Sequence, residues 1–205
     1  MIGKPSFEEV PFKYNTFGKP LLDNIQFNSS SSNDIIAIVI APSQSPIGID
    51  LSHSRQDSIS ETDYLTQFAP IFTENEIAQI DSYFKFNHFW TLKEAFTKLL
   101  GCGLNIDLAS FEFIVSDGFN EDVYNASVEN NEIKWFDEIR INTDKLVDNN
   151  VYQQLPSHDF YCYSSILQKR TRDELPVIVS IITLEKVEEV ANYTDFEETL
   201  YKCIP

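Results

Sequence analysis

The chain has 205 residues, 42% hydrophobic and 13% aromatic, enough for one good-sized core or two small ones sharing an interface, and this composition excludes disorder along the whole length. Its 32 acidic residues against 15 basic ones give a net charge of −17 with no basic patch, so nucleic acid and acidic lipid surfaces are poor partners. A small phosphate-bearing ligand stays open, because a few local cations can hold one inside an acidic protein.

Residues 1 to 34 carry little helix signal. Pro5, Pro11, Gly18 and Pro20 punctuate them, and GKP at 18–20 reads as a turn. SSSSN at 29–33 reads as a polar loop, and the Ile- and Val-rich block at 35–40 as a buried strand. APSQSP at 41–46 breaks the chain, and IGIDL at 47–51 is a short strand that carries Asp50 to its end. Helix signal dominates from 61 to 100, with Thr73 and Glu76 spaced as a capping box and a second helix over about 87–100, stopped by Gly101 and Gly103. Strands follow at 111–115, near 132–136 and 158–163, and at 176–184, with a turn at Asp117-Gly118 and a short helix-like tail over the last twenty residues. The expected fold class is α+β, divided at the break into residues 1–46 and 47–205.

Cys102, Cys162 and Cys203 are odd in number, widely spaced and form no zinc or CxxC pattern, which fits a reduced compartment. The longest early apolar run, IIAIVIA, is too short to span a bilayer, and the start does not resemble a signal peptide, so a cytoplasmic protein is expected. His53, His88 and His158 have no ligand spacing and read as surface or helix-flank residues.

In WTLKEAFTK at 90–98, Glu94 and Lys98 stand four apart on one helix face, the spacing of an ordinary surface ion pair. Lys93, Glu94 and Lys98 are expected on a different side from the apolar residues Phe89, Trp90, Leu92, Phe96, Leu99 and Leu100. Asp50 beside Gly48 reads either as a turn former or as a hard-cation ligand. Two carboxylates on separate elements, near lysines, suit magnesium with a pyrophosphate.

The order of GKPLL at 18–22, FN at 27–28, IGID at 47–50 and WTLKEAFTKLLGCGL at 90–104 resembles the signatures of the 4'-phosphopantetheinyl transferases: GKP, FNxSHS, (V/I)G(I/V)D, WxxKEAxxK and GxGL. The stretch FGKPLLDN is most similar to fungal members that activate alpha-aminoadipate reductase in lysine synthesis. The resemblance implies a pseudo-dimer of two α+β halves with the active site between them. Residues 1–46 would be the remnant of a first half with its linker, and 47–205 the metal-binding half. The basic residues of a full first half would lie upstream.

It further implies transfer of phosphopantetheine from coenzyme A to a serine of a carrier-protein domain, with Mg2+ held by Asp50 and Glu94 and a water in place of a third carboxylate at Ser52. Lys98 would contact a coenzyme A phosphate, and Lys93 would bind or protonate the leaving phosphate. Glu94 would accept the serine proton directly or through water. Lys19 would lie near the nucleotide end, with Ser30 and Ser31 on the phosphate side. Ser31 stands where the pattern has His and offers a neutral hydrogen bond in place of a charged one. A non-catalytic remnant that binds a carrier or coenzyme A is the other reading.

Overall fold

Hydroxyl caps start the main helices. Thr73 and Glu76 form the expected capping box at α2 (Glu74–Gln79), and Ser82 accepts from Lys85 N at the head of α3 (Tyr83–Leu100). That second cap starts α3 at Tyr83 rather than near residue 87, with Tyr83 and Phe86 in ring contact with Tyr64 of α1 (Tyr64–Phe68). Gly101 ends α3 in the left-handed conformation, at φ 74°. The computed structural model describes residues 11–32, 35–41, 44–52, 62–121, 133–168 and 176–187. His53, Cys203 and the expected tail beyond 187 lie outside them.

Among the described residues every strand pairing is antiparallel. β1 (Lys13–Tyr14) pairs β2 (Pro20–Leu21), and β3 (Gln26–Ser32) pairs β4 (Ile35–Ala41). β5 (Ile47–Leu51) is one edge of a three-stranded sheet in the order β5-β9-β8, with β9 (Val177–Thr183) at its centre and β8 (Tyr161–Gln168) beyond. β6 (Glu112–Val115) pairs β7 (Ile139–Asn142). The fold is α+β. Near the expected strand at 132–136 the described part is a single bridge, Phe136 to Ser164, and the strand expected at 158–163 runs at 161–168.

The central sheet is covered on both faces. Ile178 and Ile182 join the larger core with Phe89, Leu92, Phe96 and Leu99 of α3. Val177, Val179 and Ile181 join Ile47, Ile49 and Leu51, against which Ala37 and Val39 of β4 pack. That double burial explains why the late strand is apolar on both faces, broken only by Ser180 before its end at Thr183.

Two expectations on the hairpin need correction. SSSSN is mostly strand, not loop. Along β3, Asn28, Ser30 and Ser32 turn toward β5 and serve its backbone: Asn28 Nδ2 donates to Ile47 O, Ser30 Oγ accepts from Leu51 N and Ser32 Oγ donates to Ser52 O. Four successive serines hide the alternation. β4, expected buried, is buried on one face only: Ile36, Ile38 and Ile40 stand 76%, 62% and 65% exposed. Among the described residues no helix is long and apolar enough to cross a membrane.

α3 comes closest to the sheet at Gly48. A Cβ there would collide with the Ala95 carbonyl oxygen and lie 2.6 Å from Leu99 N, both backbone atoms of α3. Gly48→Ala should therefore push α3 off β5 and destabilise the fold by about 1–3 kcal/mol or more, as overpacking does. Urea unfolding followed by tryptophan fluorescence checks this; an unchanged midpoint would contradict the close approach.

Candidate active site

α3 is buried almost all round. From Phe86 to Leu100 only Trp90, Glu94 and Lys98 are not fully buried, and their spacing of four puts them in one row. This row lines a cavity of about 540 Å3, together with Asp50 and Leu51 of β5, Ser29, Ser30 and Ser31 of β3, and Ile36 of β4. Asp50 follows Gly48 on the same face of β5, which carries its carboxylate from the helix contact into the cavity.

Lys98 Nζ lies 2.7 Å from Asp50 Oδ1, and Ser30 Oγ donates to the same oxygen at 2.9 Å. The surface pair expected between Glu94 and Lys98 is thus replaced by one between helix and sheet. Burial raises the pKa of Asp50, against the pull of Lys98, Ser30 and the Leu51 amide. Burial also raises that of Glu94, with the nearby Asp50 charge adding to it and Lys98 opposing. Glu94 thus feels the charge of Asp50, and a cation between the two carboxylates would relieve it.

Lys19 sits behind this site. Its ammonium donates to the carbonyls of Lys98, at 2.7 Å, and Leu99, at 3.4 Å, in the last turn of α3. Burial pushes it down to about 8. Asn15 Nδ2 donates to Gly101 O and Asn28 Nδ2 to Lys98 O, so three side chains from before residue 47 take up carbonyls at the helix end. Lys19, Asn28, Ser29, Lys98, Gly101 and Gly103 line a second cavity of about 250 Å3, which shares Ser29 and Lys98 with the first. Neither asparagine is apparent as a helix-end partner from the sequence, because the bonds span 86 and 70 residues.

The structure brings together Asp50, Glu94, Lys98, Ser30 and Ser31, with Lys19 next door. It does not bring Lys93. That side chain, one residue and about 100° round the helix from Glu94, is wholly buried on the far side. Its ammonium lies 2.8 Å from Glu76 Oε2 of α2, donates to the carbonyls of Leu108 and Phe111, and stands 4.4 Å from the centre of the Phe111 ring. It cannot meet a phosphate in the cavity. Ser30 also differs from expectation, since its one proton goes to Asp50; exposed Ser31 keeps its place on the cavity wall. His88, expected near the surface, is in the core, while His158 is exposed.

Among the described residues no three His, Cys, Asp or Glu side chains gather as a metal cluster. Asp50 and Glu94 are what the cavity offers a metal: two hard oxygen donors, open to solvent on one side. That set fits magnesium, which commonly takes one or two carboxylates and completes its shell with waters and substrate phosphates. It does not fit a structural zinc site, which calls for four protein ligands.

Residues 46–156 match the 4'-phosphopantetheinyl transferase superfamily, and this chain belongs to it. Among curated relatives, the 4'-phosphopantetheinyl transferase gsp of Aneurinibacillus migulanus is 35% identical over 114 residues, covering 51% of this chain and 44% of that protein. The L-aminoadipate-semialdehyde dehydrogenase-phosphopantetheinyl transferase of Saccharomyces cerevisiae is 31% identical over 120 residues, covering 53% and 43%. The 4'-phosphopantetheinyl transferase Sfp of Bacillus subtilis is 28% identical over 109 residues, covering 50% and 46%. The chain spans less than half the length of the curated relatives it matches.

The burial of Lys93 has a measurable consequence. Lys93→Ala leaves Glu76 buried without its cation, and should cost about 3–5 kcal/mol, the range for breaking a buried pair. The cavity would keep every side chain that lines it. Chemical denaturation checks the loss, and a variant as stable as the parent would contradict the buried pair.

Proposed function

We propose that this chain carries the metal-binding half of an enzyme that moves 4'-phosphopantetheine from coenzyme A to a serine hydroxyl of an apo carrier-protein domain. The observation that carries the reading is the shared cavity of Asp50, Glu94 and Lys98, in a chain of this superfamily. Coenzyme A would lie across the two joined cavities, its pyrophosphate beside Lys98 and its nucleotide toward Lys19 and Gly18. Asp50 and Glu94 would hold Mg2+.

The serine oxygen forms a bond to the phosphorus that bears the pantetheine arm. The bond from that phosphorus to the bridging oxygen breaks, and adenosine 3',5'-bisphosphate leaves with the electron pair. Magnesium, when bound, would offset charge developing on the pyrophosphate. Lys98 adds a fixed positive charge on the same side. Glu94 takes the serine proton, directly or through a water. Ser30 keeps Asp50 in place, and Ser31 offers one neutral hydrogen bond to a phosphate oxygen.

On this reading residues 1–46 are the remnant of a first half with its linker, and 47–205 the metal-binding half of a pseudo-dimer. The exposed Ile36, Ile38 and Ile40 support it, as a face that further elements of the first half would cover. The fungal lysine-pathway reductase is the proposed carrier partner, on the likeness to the yeast relative.

Intact-mass analysis of apo carrier domains incubated with coenzyme A, magnesium and protein tests the reading. The samples are this chain, the chain preceded by a family first half, and that extended form with Glu94→Gln. The extended protein should add phosphopantetheine, and Glu94→Gln should slow it about a hundredfold or more while the fold persists. No mass gain across several carriers would leave a non-catalytic coenzyme A-binding remnant as the better reading. Full activity in Glu94→Gln would remove the metal assignment.

A further inference from the structure

Four side chains that the proposed chemistry does not use lie buried in the seam between α3 and the sheet: His88, Thr91, Ser164 and Ser180. Their hydrogen bonds follow one another. His88 Nε2 is 2.8 Å from Ser164 Oγ, Ser164 Oγ is 3.0 Å from Ser180 Oγ, and Ser180 Oγ is 2.9 Å from Thr91 Oγ1. Thr91 Oγ1 is in turn 2.8 Å from the carbonyl oxygen of His88.

Counting protons fixes every direction. A hydroxyl has one proton to donate, and a carbonyl has none. Thr91 therefore donates to His88 O and must accept from Ser180. Ser180, its proton committed, accepts from Ser164. Ser164, likewise committed, accepts from the imidazole. The His88 ring thus carries a proton on Nε2. Burial pushes the ring down to about 3, so near neutral pH Nδ1 is bare. The bonds make a closed, one-way circuit that starts on the ring of His88 and ends on its own carbonyl.

The circuit lies on the rung of the sheet that carries Asp50. Asp50 pairs with Ser180 across β5 and β9, and Ser180 with Ser164 across β9 and β8. On α3 it holds His88 and Thr91, and Glu94 is the next residue one turn on from Thr91. The apolar contacts around it are non-directional and let a helix roll a little. Hydrogen bonds lose strength with angle, and a fully satisfied buried network selects one arrangement.

We propose that the His88–Ser164–Ser180–Thr91 circuit is a positioning device that fixes the rotation of α3 over the sheet, and through it the meeting of Glu94 and Lys98 with Asp50. Its consequence for cation binding rests on the magnesium reading above; its consequence for α3 does not.

Nitrogen-15 NMR of the 205-residue chain tests the circuit directly. The wild-type imidazole of His88 should show a protonated Nε2 and a bare Nδ1. Thr91→Val keeps the side-chain shape, removes the hydroxyl and leaves Ser180 with nowhere to donate. The amide resonances of Glu94 and Lys98 should then move, and affinity for manganese ion, followed by electron paramagnetic resonance, should fall about 10–100-fold, as when a group supporting a metal ligand is lost. Thr91→Ser should restore both. Ser164→Ala opens the circuit at its other end and serves where Thr91→Val does not fold.

A wild-type His88 protonated on Nδ1 would overturn the proposal. So would Glu94 and Lys98 resonances unmoved by either opening variant, or a Thr91→Ser form no better than Thr91→Val. A wild-type chain that binds no manganese, with resonances that still follow the circuit, would overturn the magnesium reading and leave the positioning role standing.

Discussion

The site depends on the contact of α3 with β5 at Gly48. Without a side chain there, the helix backbone lies directly on the strand. Asp50, two residues along β5, meets Lys98, one residue before the Leu99 amide that Gly48 approaches. From Phe86 to Leu100 the rest of α3 is buried, so its solvent-facing chemistry there is confined to the single row Trp90, Glu94 and Lys98. A helix on a protein surface presents a broad polar face; this one presents a slot.

Two devices tie the outlying parts of the chain to that contact. At one end of the core, the Glu76–Lys93 pair joins α2, α3 and the segment around Phe111, and Glu76 also accepts the Phe113 and Thr73 amides. Every strong acceptor and donor in it has a partner, which is the condition for a buried charge pair to be tolerated. At the other end, Asn15, Lys19 and Asn28 take the helix-end carbonyls that lack a partner within the helix. The described residues before 47 therefore belong to the same packed unit as the helix they cap. Lys19 shows how one residue can serve both as a cap and as part of a cavity wall.

How much of this is legible in the sequence varies with the physics of each residue. Asp50, Glu94 and Lys98 are legible because helix periodicity and the strand end place them, and the motif order supports the same grouping. Lys93 is not: a charged residue in an apolar helix reads as solvent-facing, and nothing local announces a carboxylate seventeen residues earlier as its partner. Ser29–Ser32 read as loop because serine is polar on either face, so alternation leaves no trace. Ile35–Ile40 read as buried because an apolar run looks the same whether one face or both are covered. His88 is not legible for a further reason, since its ring partner Ser164 is an ordinary strand residue far along the chain.

The charge within the cavity bears on why a cation would be needed at all. With both carboxylates ionised, the single ammonium of Lys98 leaves the lining one negative charge in excess, inside a protein already at −17. A pyrophosphate brought into that cavity alone would meet net repulsion, strengthened by the poor solvation that already raises the pKa of Asp50 and Glu94. A divalent cation bound to the two carboxylates reverses the sign of the lining to one positive charge, which attracts the phosphates and lets Lys98 add to the pull. The same cation would favour ionised Asp50 and Glu94 over their protonated forms. For the transfer proposed here, then, metal and coenzyme A are linked by electrostatics: each makes the site a better host for the other, and binding of the two should be cooperative rather than independent.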